Sequence, residues 1–531
     1  MWLKSLYVKN FKSIDELNLE FTQGINVIFG ENGTGKTNII KAILKLLGPA
    51  YPGPNSFQKE DFFCLDMEKE IVIKMEFVEG TNHFTLTWDK DGRGKLRLIF
   101  NGFDYITAEQ RETFCPLHIP PNREIKDLPA SSKWTPVGRI IFELSKLIEK
   151  NEEVTTQFKE KMAECVSILE RSPEFSDFKR GIETFSTEQM GNRGENIRIK
   201  MDLIDHKYIL KTLQIFEDLG DEKYNISEGG QGIQSNVTIA ALRAFSEICR
   251  ERFFIIADEP EAYLHPLAQK ALCKVFENIA ARGTQIILTT HSPYFISPKY
   301  INGLIKVWFA ENSTKCMKIN LPQLVEKRRH RGITQSTTES TEARLSKMIN
   351  LEVKEGLFAQ SVALCEGESE SFSLEIWAEK EHVDFSKMGL AIVPANGKFT
   401  MIDLAEFYEH MKIPVYLIFD SDSNTRENKA NQIQNNKWLL SFAQATLEEF
   451  PASIVSEKYC VMSPDFETVL RTEDTAYSQV EREINNELGL ETDRHKGIRA
   501  RFVARKYLET QKATPPTLAS LIQKIKQFHE Q

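Results

Sequence analysis

Residues 30–37 of the chain read Gly30-Glu31-Asn32-Gly33-Thr34-Gly35-Lys36-Thr37, and Asn38 follows directly. The run Ile25–Phe29 before this stretch is apolar, as in a buried strand, and apolar residues recur at helical spacing after it. A glycine-rich turn between a strand and a helix is the setting of a phosphate-binding loop, because backbone N–H groups can approach phosphate oxygens there. We therefore predict that residues 30–38 bind ATP, with Lys36 on the β- and γ-phosphates and Thr37 on Mg²⁺.

The bulk composition is that of a globular protein with more than one domain. The chain has 531 residues, of which 41% are apolar and 27% are charged. Its net charge is −9, so contact with DNA has to come from local basic patches. The eight cysteines form no C-x-x-C pair, which argues against a zinc ribbon and a disulfide framework and favours a reducing compartment. No apolar run approaches the ~20 residues of a membrane span, and the first residues lack a signal-peptide pattern, so we expect a cytoplasmic protein without membrane contact.

Two carboxylates follow a second apolar run. Residues 253–257 are typical of a buried strand, and Asp258 and Glu259 come at its carboxyl end. Asp258 is in position to bind Mg²⁺, and Glu259 to orient or deprotonate the hydrolytic water. The run 286–290 is a further strand that leads into His291, which we predict to sense the γ-phosphate. In this order, the elements predict an ABC-type ATPase domain over the first 315 residues.

A glycine-rich stretch from Ser227 to Ser235 precedes another helical pattern. Serine and glycine at a helix start make an anion site, although a flexible turn has the same composition. Beside a phosphate-binding loop, the stretch resembles the signature motif of ABC-type ATPases, which closes over the γ-phosphate of a nucleotide held by a partner subunit. The resemblance implies that Ser227, Gly230 and Gln231 contact ATP and that the ATPase domains form a homodimer or a higher homo-oligomer. The motif departs from Leu-Ser-Gly-Gly-Gln, so the serine in contact with the γ-phosphate is either Ser227 or Ser235.

The intervening regions have distinct patterns. Strand-like runs within 1–30 and 68–107 predict an antiparallel β subdomain, and five prolines mark 116–138 as an irregular connection. Residues 139–215 have helical spacing and form a helical insertion, which is either packed against the domain or used as a dimer contact. Residues 316–356 are predicted to be a linker, and their basic run Lys327–Arg331 either touches DNA phosphates or is solvated.

A second α/β domain is predicted from residue 357 to residue 531. Its strand-like runs are 361–365, 391–393 and 415–419. They alternate with helical patterns, which implies a parallel sheet whose ligands collect at the carboxyl ends of the strands. Glu366, Asp420 and Asp422 all follow such ends. Converging carboxylates repel one another unless they bind a cation, and oxygen ligands favour Mg²⁺ or Mn²⁺.

Further charged residues follow later in this domain. Asp465 and Glu467 come after a possible strand and could supply a second metal site. Lys496 precedes a helix with Arg499 and two further arginines, Arg501 and Arg505, which either grips a phosphate backbone or is a solvated basic face. Whether Lys496 or Lys506 serves the metal site stays open.

The order of Glu366 and then Asp420-x-Asp422 resembles a Toprim domain, the metal-binding module of topoisomerases, primases and some nucleases. An ABC-type ATPase domain joined to a Toprim domain in turn resembles the OLD (overcoming lysogenisation defect) family of ATP-dependent endonucleases. The resemblance implies an α/β fold: a P-loop ATPase domain with a β subdomain and helical insertion, then a Toprim domain with a parallel sheet. It also implies metal ligands and a catalytic lysine, which by motif position are Glu366, Glu370, Asp420, Asp422, Asp465, Glu467 and Lys496.

Two functions follow as hypotheses. The first is an ATP-hydrolysing, metal-dependent DNA endonuclease, with the family resemblance implying antiviral defence and a helicase or reverse-transcriptase partner. The second is an SMC-like or repair-type DNA-binding switch whose Toprim domain does not cleave. The intact acids favour the first hypothesis.

Overall fold

A computed structural model describes residues 1–48, 51–90, 95–103, 106–121, 136–202, 205–210, 212–213, 215–218, 220, 222–226, 230–248, 254–425, 428–489, 495–510 and 512–530. The strands are β1 (Trp2–Phe11), β2 (Ile14–Glu20), β3 (Ile25–Phe29), β4 (Val72–Glu79), β5 (Asn82–Lys90), β6 (Leu96–Phe100), β7 (Leu117–Ile119), β8 (Phe216–Asp218), β9 (Lys223–Asn225), β10 (Phe254–Asp258), β11 (Gln285–Thr290), β12 (Leu304–Ala310), β13 (Ser313–Lys318), β14 (Ser361–Cys365), β15 (Leu390–Pro394), β16 (Val415–Asp420), β17 (Ile454–Val455) and β18 (Tyr459–Met462).

The helices are α1 (Lys36–Leu47), α2 (Ala108–Thr113), α3 (Pro136–Glu149), α4 (Glu152–Glu170), α5 (Pro173–Met190), α6 (His206–Leu210), α7 (Gln231–Ile248), α8 (Pro266–Ala281), α9 (Leu321–His330), α10 (Thr338–Met348), α11 (Leu351–Gly356), α12 (Glu368–Lys380), α13 (Phe385–Met388), α14 (Lys398–His410), α15 (Lys429–Phe442), α16 (Phe466–Glu473), α17 (Thr475–Leu488), α18 (Lys496–Thr510) and α19 (Pro516–His529).

The first half of the chain contains two large sheets. One is antiparallel, in the order β2-β1-β4-β5-β6, and confirms the predicted β subdomain. The other has the order β13-β12-β3-β11-β10-β7, and its strands are parallel except for β13. Strand β3 lies in the middle of this second sheet and is fully buried, which explains its unbroken apolar sequence. The phosphate-binding loop therefore starts from the most rigid part of the domain.

Strands β7, β12 and β13 of this sheet were not predicted, and β7 is the shortest of the three. Residues 117–119, inside the stretch expected to be an irregular connection, form β7 and pair in parallel with β10 at the sheet edge. Prolines at 116 and 120 flank these three residues. So short a strand has no periodicity of its own and forms because β10 offers a free edge.

The predicted helical insertion is present as α3 to α6. Helix α3 buries Val137, Ile140 and Ile141, whereas Val166 is the one buried residue that α4 contributes among those described, and α5 contributes none. The long pair α4 and α5 is thus largely exposed. Its use as a dimer contact stays a prediction.

The segment expected to be a linker is folded. Residues 316–318 complete β13, and α9, α10 and α11 fill most of the remainder. The carboxylate of Asp403 on α14 receives Arg328 at 3.0 Å, Arg331 at 2.5 Å and Arg344, while Arg331 also reaches Glu406 at 2.9 Å. Arg328 and Arg331 therefore bind acids of the second domain, which corrects the hypotheses of a DNA contact and of a solvated linker for this buried part of the basic run. Its partners lie about 75 residues away in sequence, so no local pattern could indicate them.

The folded segment joins the two halves through one apolar core. Phe29 of β3, Leu345 of α10, Val353 of α11 and Leu364 of β14 belong to the same buried cluster. The rings of Phe29 and Phe358 meet edge to face with centroids 5.6 Å apart. The exact domain boundaries stay predictions.

The second half contains the predicted parallel sheet. Its order is β15-β14-β16-β18-β17, and only the two-residue β17 is antiparallel. The carboxyl ends of β14, β15, β16 and β18 therefore meet at one edge. In the part of the chain that the structure describes, no helix has the length and apolar character to cross a membrane.

Candidate nucleotide and metal sites

The loop between β3 and α1 has the backbone of a phosphate cradle. Gly30 and Gly35 have φ of +152° and +99°, and an added Cβ would lie 2.0 Å from the Val307 carbonyl oxygen or 2.1 Å from Thr314 Oγ1. Only glycine fits at either position. Lys36 Nζ donates to the carbonyl oxygens of Gly30 at 3.1 Å and Glu31 at 2.7 Å. Burial lowers the pKa of Lys36 to about 8.

Thr37 and Asp258 lie side by side, as the sequence predicts for a nucleotide-bound magnesium. The Thr37 hydroxyl donates to Asp258 Oδ1 at 3.3 Å, and the Thr289 hydroxyl donates to the same oxygen. Burial raises the pKa of Asp258, and the charge of Glu259 adds to this shift. A hydroxyl and a half-satisfied carboxylate next to a phosphate cradle form an all-oxygen donor set that fits Mg²⁺.

Glu259 and His291 are brought together. His291 Nε2 lies 3.3 Å from Glu259 Oε1, and Glu259 has a positive φ of 46°, held by its N–H donating to Thr289. Burial and the neighbouring Lys36 lower the pKa of His291. A mainly neutral imidazole can therefore hold the carboxylate in place without neutralising it.

Glu261 is a positioning residue to which the sequence analysis gave no role. Its Oε1 accepts the Thr290 hydroxyl at 2.6 Å and the His291 N–H at 2.7 Å. It thus ties the end of β11 to the turn after β10. The sequence Asp258-Glu259-Pro260-Glu261 could have indicated a role for Glu261, since it is a third acid just after the strand end.

The predicted signature motif is only partly described. Ser227 lies outside the described residues, Gly230 is exposed, and Gln231 begins α7. Ser235 is fully buried within that helix, so its hydroxyl is not available to a γ-phosphate. This removes one of the two predicted serines, and contact of the others with ATP stays a prediction.

The predicted acids of the second domain line one cleft of about 530 Å³ at the carboxyl edge of the sheet. They are Glu366, Glu370, Asp420, Asp422, Asp465 and Glu467. They arrive from the ends of β14, β16 and β18 and from the first turn of α12 and α16. Strand ends and parallel topology predicted this gathering for five of the six acids, whereas Glu370 was predicted only through the family resemblance.

The acids of the cleft are held in a crowded, poorly solvated environment. Burial raises the pKa of Glu366 to about 7, although Lys398 opposes the shift. Burial followed by the charges of Glu370 and Glu366 raises the pKa of Asp420 well above its usual range, and burial also raises that of Glu370. A bound cation would strongly stabilise the charged form of these carboxylates. Their all-oxygen chemistry fits a divalent ion such as Mg²⁺ or Mn²⁺.

Several of these acids are already engaged by donors of the protein. Glu366 Oε2 accepts the Asp420 N–H at 3.0 Å, and Asp420 Oδ1 accepts the Phe466 N–H at 3.0 Å. Asp465 caps α16, and Glu467 accepts the Ser369 hydroxyl at 2.6 Å. Among the described residues, no three His, Cys, Asp or Glu side chains form a ready chelate. The acids share a cleft, and ligation of an ion requires side-chain movement.

Basic residues around the cleft separate into two groups. Lys496 lines it, whereas Lys506 does not, which favours Lys496 as the lysine of this site. Arg499 is buried and binds Glu481 at 3.1 Å. The hypothesis that Arg499 grips DNA is therefore wrong. Arg501 and Arg505 are exposed on the same helix. Lys398, which follows β15, was not predicted, although it too stands just beyond a strand end.

Together these features define a P-loop ATPase domain of ABC type joined to an α/β domain with an acidic, Toprim-type cleft. The chain belongs to the AAA ATPase domain family, whose model matches residues 1–113 and 113–296. The model for the "Overcoming lysogenization defect protein-like, TOPRIM domain" matches residues 357–422. The two matches confirm the resemblance to the OLD family.

The chain is similar to two named nucleases along most of its length. An OLD nuclease of Thermus scotoductus is 24% identical over 511 residues, which cover 88% of this chain and 91% of the relative. An Old nuclease of Escherichia phage P2 is 22% identical over 464 residues, with 79% and 77% covered. The solved SMC head domain bound to a winged-helix domain of ScpA aligns with a TM-score of 0.41 and 16% identity, covering 61% of this chain and 100% of that one.

Proposed function

We propose that the protein is an ATP-hydrolysing, metal-dependent DNA endonuclease, in which the first half binds ATP and the acidic cleft cuts a DNA strand. The observation that carries the proposal is the cleft itself, where seven acids and Lys496 line about 530 Å³ at the carboxyl edge of a parallel sheet. The similarity to two proteins named OLD nuclease along most of the chain supports the same activity.

The cleft supplies the groups that cleavage of a DNA strand requires. Divalent ions supply an activated water and stabilise the leaving oxygen when bound. Glu366, Asp420 and Asp422 are the residues that would hold these ions next to the DNA strand. Lys496 at the cleft wall balances the charge that develops on the phosphate. Asp465 and Glu467, from the end of β18 and the start of α16, contribute to a second ion position.

The chemistry of the ATPase half follows from the strand ends. Lys36 leaves the loop carbonyl oxygens and binds the β- and γ-phosphates, because phosphate oxygens are stronger acceptors for an ammonium group. Thr37 and Asp258 hold the magnesium ion. Glu259, oriented by His291, takes the proton of the hydrolytic water. The motif at Gly230 and Gln231 completes the site of a second copy, so hydrolysis requires a dimer.

The test is cleavage of supercoiled plasmid in the presence of Mg²⁺ or Mn²⁺. Asp420→Ala is expected to lower the cleavage rate by at least about 100-fold, because the ion loses a ligand. ATP hydrolysis by the variant is expected to stay near wild type, since the P-loop is in the other half. Equal nicking by variant and wild type would place the active site elsewhere. A wild-type protein that binds DNA and cuts none would favour the DNA-binding switch instead.

The biological setting is part of the proposal. Antiviral defence, and a helicase or reverse-transcriptase partner, come from the resemblance to the OLD family. A phage-plating assay with wild type and Asp420→Ala, expressed with and without the neighbouring genes, tests both. Equal plating efficiency in every strain would remove this setting and leave the biochemical activity untouched.

A further inference from the structure

Lys398 is a buried cation that the proposed mechanism does not use. It is the first residue of α14, and its side chain is 1% exposed. Nζ lies 2.6 Å from Asp422 Oδ2 and 3.9 Å from Glu366 Oε2. Both acids are lining residues of the cleft, whereas Lys398 lies behind them. The ammonium group therefore faces two metal-ligand candidates from inside the protein.

The backbone of Lys398 is fixed. Helix α14 buries Met401, Leu404, Phe407 and Tyr408 at no more than 1% exposure each, so any sliding of the helix would disrupt its core packing. Just before it, the Gly397 N–H donates to the Glu366 carbonyl oxygen at 2.9 Å and ties the end of β15 to the end of β14. On this support, the Lys398 ammonium group is held close to the two acids.

The contact accounts for part of the arrangement of the cleft. Asp422 has a positive φ of 53°, which is uncommon for a residue other than glycine, and its carboxylate points to Lys398. Without the ammonium group, the Asp422 and Glu366 carboxylates, whose side chains are 28% and 19% exposed, would lose this compensating charge and repel each other. Because Asp422 is already paired, an incoming ion has to share or displace this contact.

We propose that Lys398 is a built-in counter-cation of the cleft, which holds Asp422 and Glu366 in the metal-free protein and competes with a divalent ion for the Asp422 carboxylate. The inference rests on the proposed metal-dependent cleavage. It makes Lys398 a positioning residue that sets the ion concentration at which the cleft is loaded. A residue with a merely structural role would act in the opposite direction, because its loss would disorder the ligands and weaken ion binding.

The experiment measures Mn²⁺ binding to the nucleotide-free full chain by calorimetry at pH 8. Lys398→Met keeps the length of the stem and removes the charge. It is expected to bind Mn²⁺ about tenfold more tightly, because the ammonium group that contacts the Asp422 carboxylate repels a divalent ion bound to the same carboxylate, even with full solvent screening. Lys387→Met removes an equal charge from an exposed lysine of the same domain and is expected to match wild type.

A second variant of Lys398 separates the effect of the lost charge from that of a folding defect. Lys398→Gln retains a hydrogen-bond donor for Asp422 and is expected to show the same tighter binding and a larger rise of the unfolding temperature with Mn²⁺. Unchanged or weaker Mn²⁺ affinity in the folded variants overturns the inference. If wild type and Asp420→Ala bind equally little Mn²⁺, the proposed metal-dependent function fails instead, and the two failures are thus distinct.

Discussion

The ion pairs between α9, α10 and α14 stabilise the junction of the two halves, and the free-energy cost of removing them can be estimated. Asp403 is 4% exposed at its side chain and lies among the guanidinium groups of Arg328, Arg331 and Arg344. Replacing Asp403 by Asn keeps the shape and one acceptor oxygen but removes the negative charge. Three cations then remain close together at the junction of the two halves, with Glu406 as the remaining acid within reach of Arg331.

The size of the effect follows from burial. Arg328 and Arg331 are about as buried as Asp403, with side chains 11% and 9% exposed, so water replaces little of the lost interaction. Removing one partner of a buried ion pair costs about 3–5 kcal/mol. We take the lower end, about 3 kcal/mol, because Asn keeps a hydrogen bond and Glu406 keeps its pair.

Glu409 offers a matched control on the same helix. It pairs with Lys327, but the side chains of Glu409 and Lys327 are 57% and 37% exposed. Glu409→Gln should cost less than about 1 kcal/mol.

Native-state hydrogen exchange of α9 is the suitable assay, because a chain of this size need not unfold in one step. For Asp403→Asn we expect amide exchange in α9 and α10 to become roughly 100-fold faster, which corresponds to about 3 kcal/mol. For Glu409→Gln we expect less than about a fivefold change. Equal exchange in the two variants would refute the assignment of Asp403 as the centre of the junction. Protection that is lost only in α4 and α5 would refute it as well.

Three further predictions concern the two sites. Lys36→Ala should weaken ATP binding by at least about 30-fold in an equilibrium titration, because a buried charge on the phosphates is lost, and unchanged affinity in the folded variant would contradict the P-loop assignment. Glu259→Gln should bind ATP normally and hydrolyse it about 100- to 1000-fold more slowly, and near-normal turnover would exclude Glu259 as the general base. Burial raises the pKa of Glu366 to about 7, so the folded metal-free protein binds a proton that the unfolded chain has already lost, and this stabilising effect disappears as the pH rises through 7. Calorimetry between about pH 5 and about pH 8 should therefore show a falling unfolding temperature that Glu366→Gln flattens, and an unchanged slope would refute the shift.

Local sequence could predict those site residues that directly follow the end of a strand. Each apolar run of β3, β10, β14 and β16 is followed by a predicted site residue. A buried parallel strand is mainly apolar, so polar groups able to bind a ligand begin where burial ends. The phosphate loop and the gathering of Glu366, Asp420 and Asp422 in one cleft could therefore be predicted from the sequence. Glu370 was predicted only through the family resemblance. Parallel topology follows from the alternation of strands and helices, and it brings these ends to one edge.

Long-range pairing was decided by the tertiary structure alone. The same five residues, Lys327–Arg331, suit a DNA contact, a solvated linker or an internal ion cluster, and only the position of α14 selects the third. Arg499 became internal for the same reason, since Glu481 on the preceding helix reaches it. Lys398 and Asp422 are separated by 24 residues and meet because β15 and β16 flank β14. A charged side chain carries no local sign of whether it faces water or a buried partner, because that depends on which distant element the fold places against it.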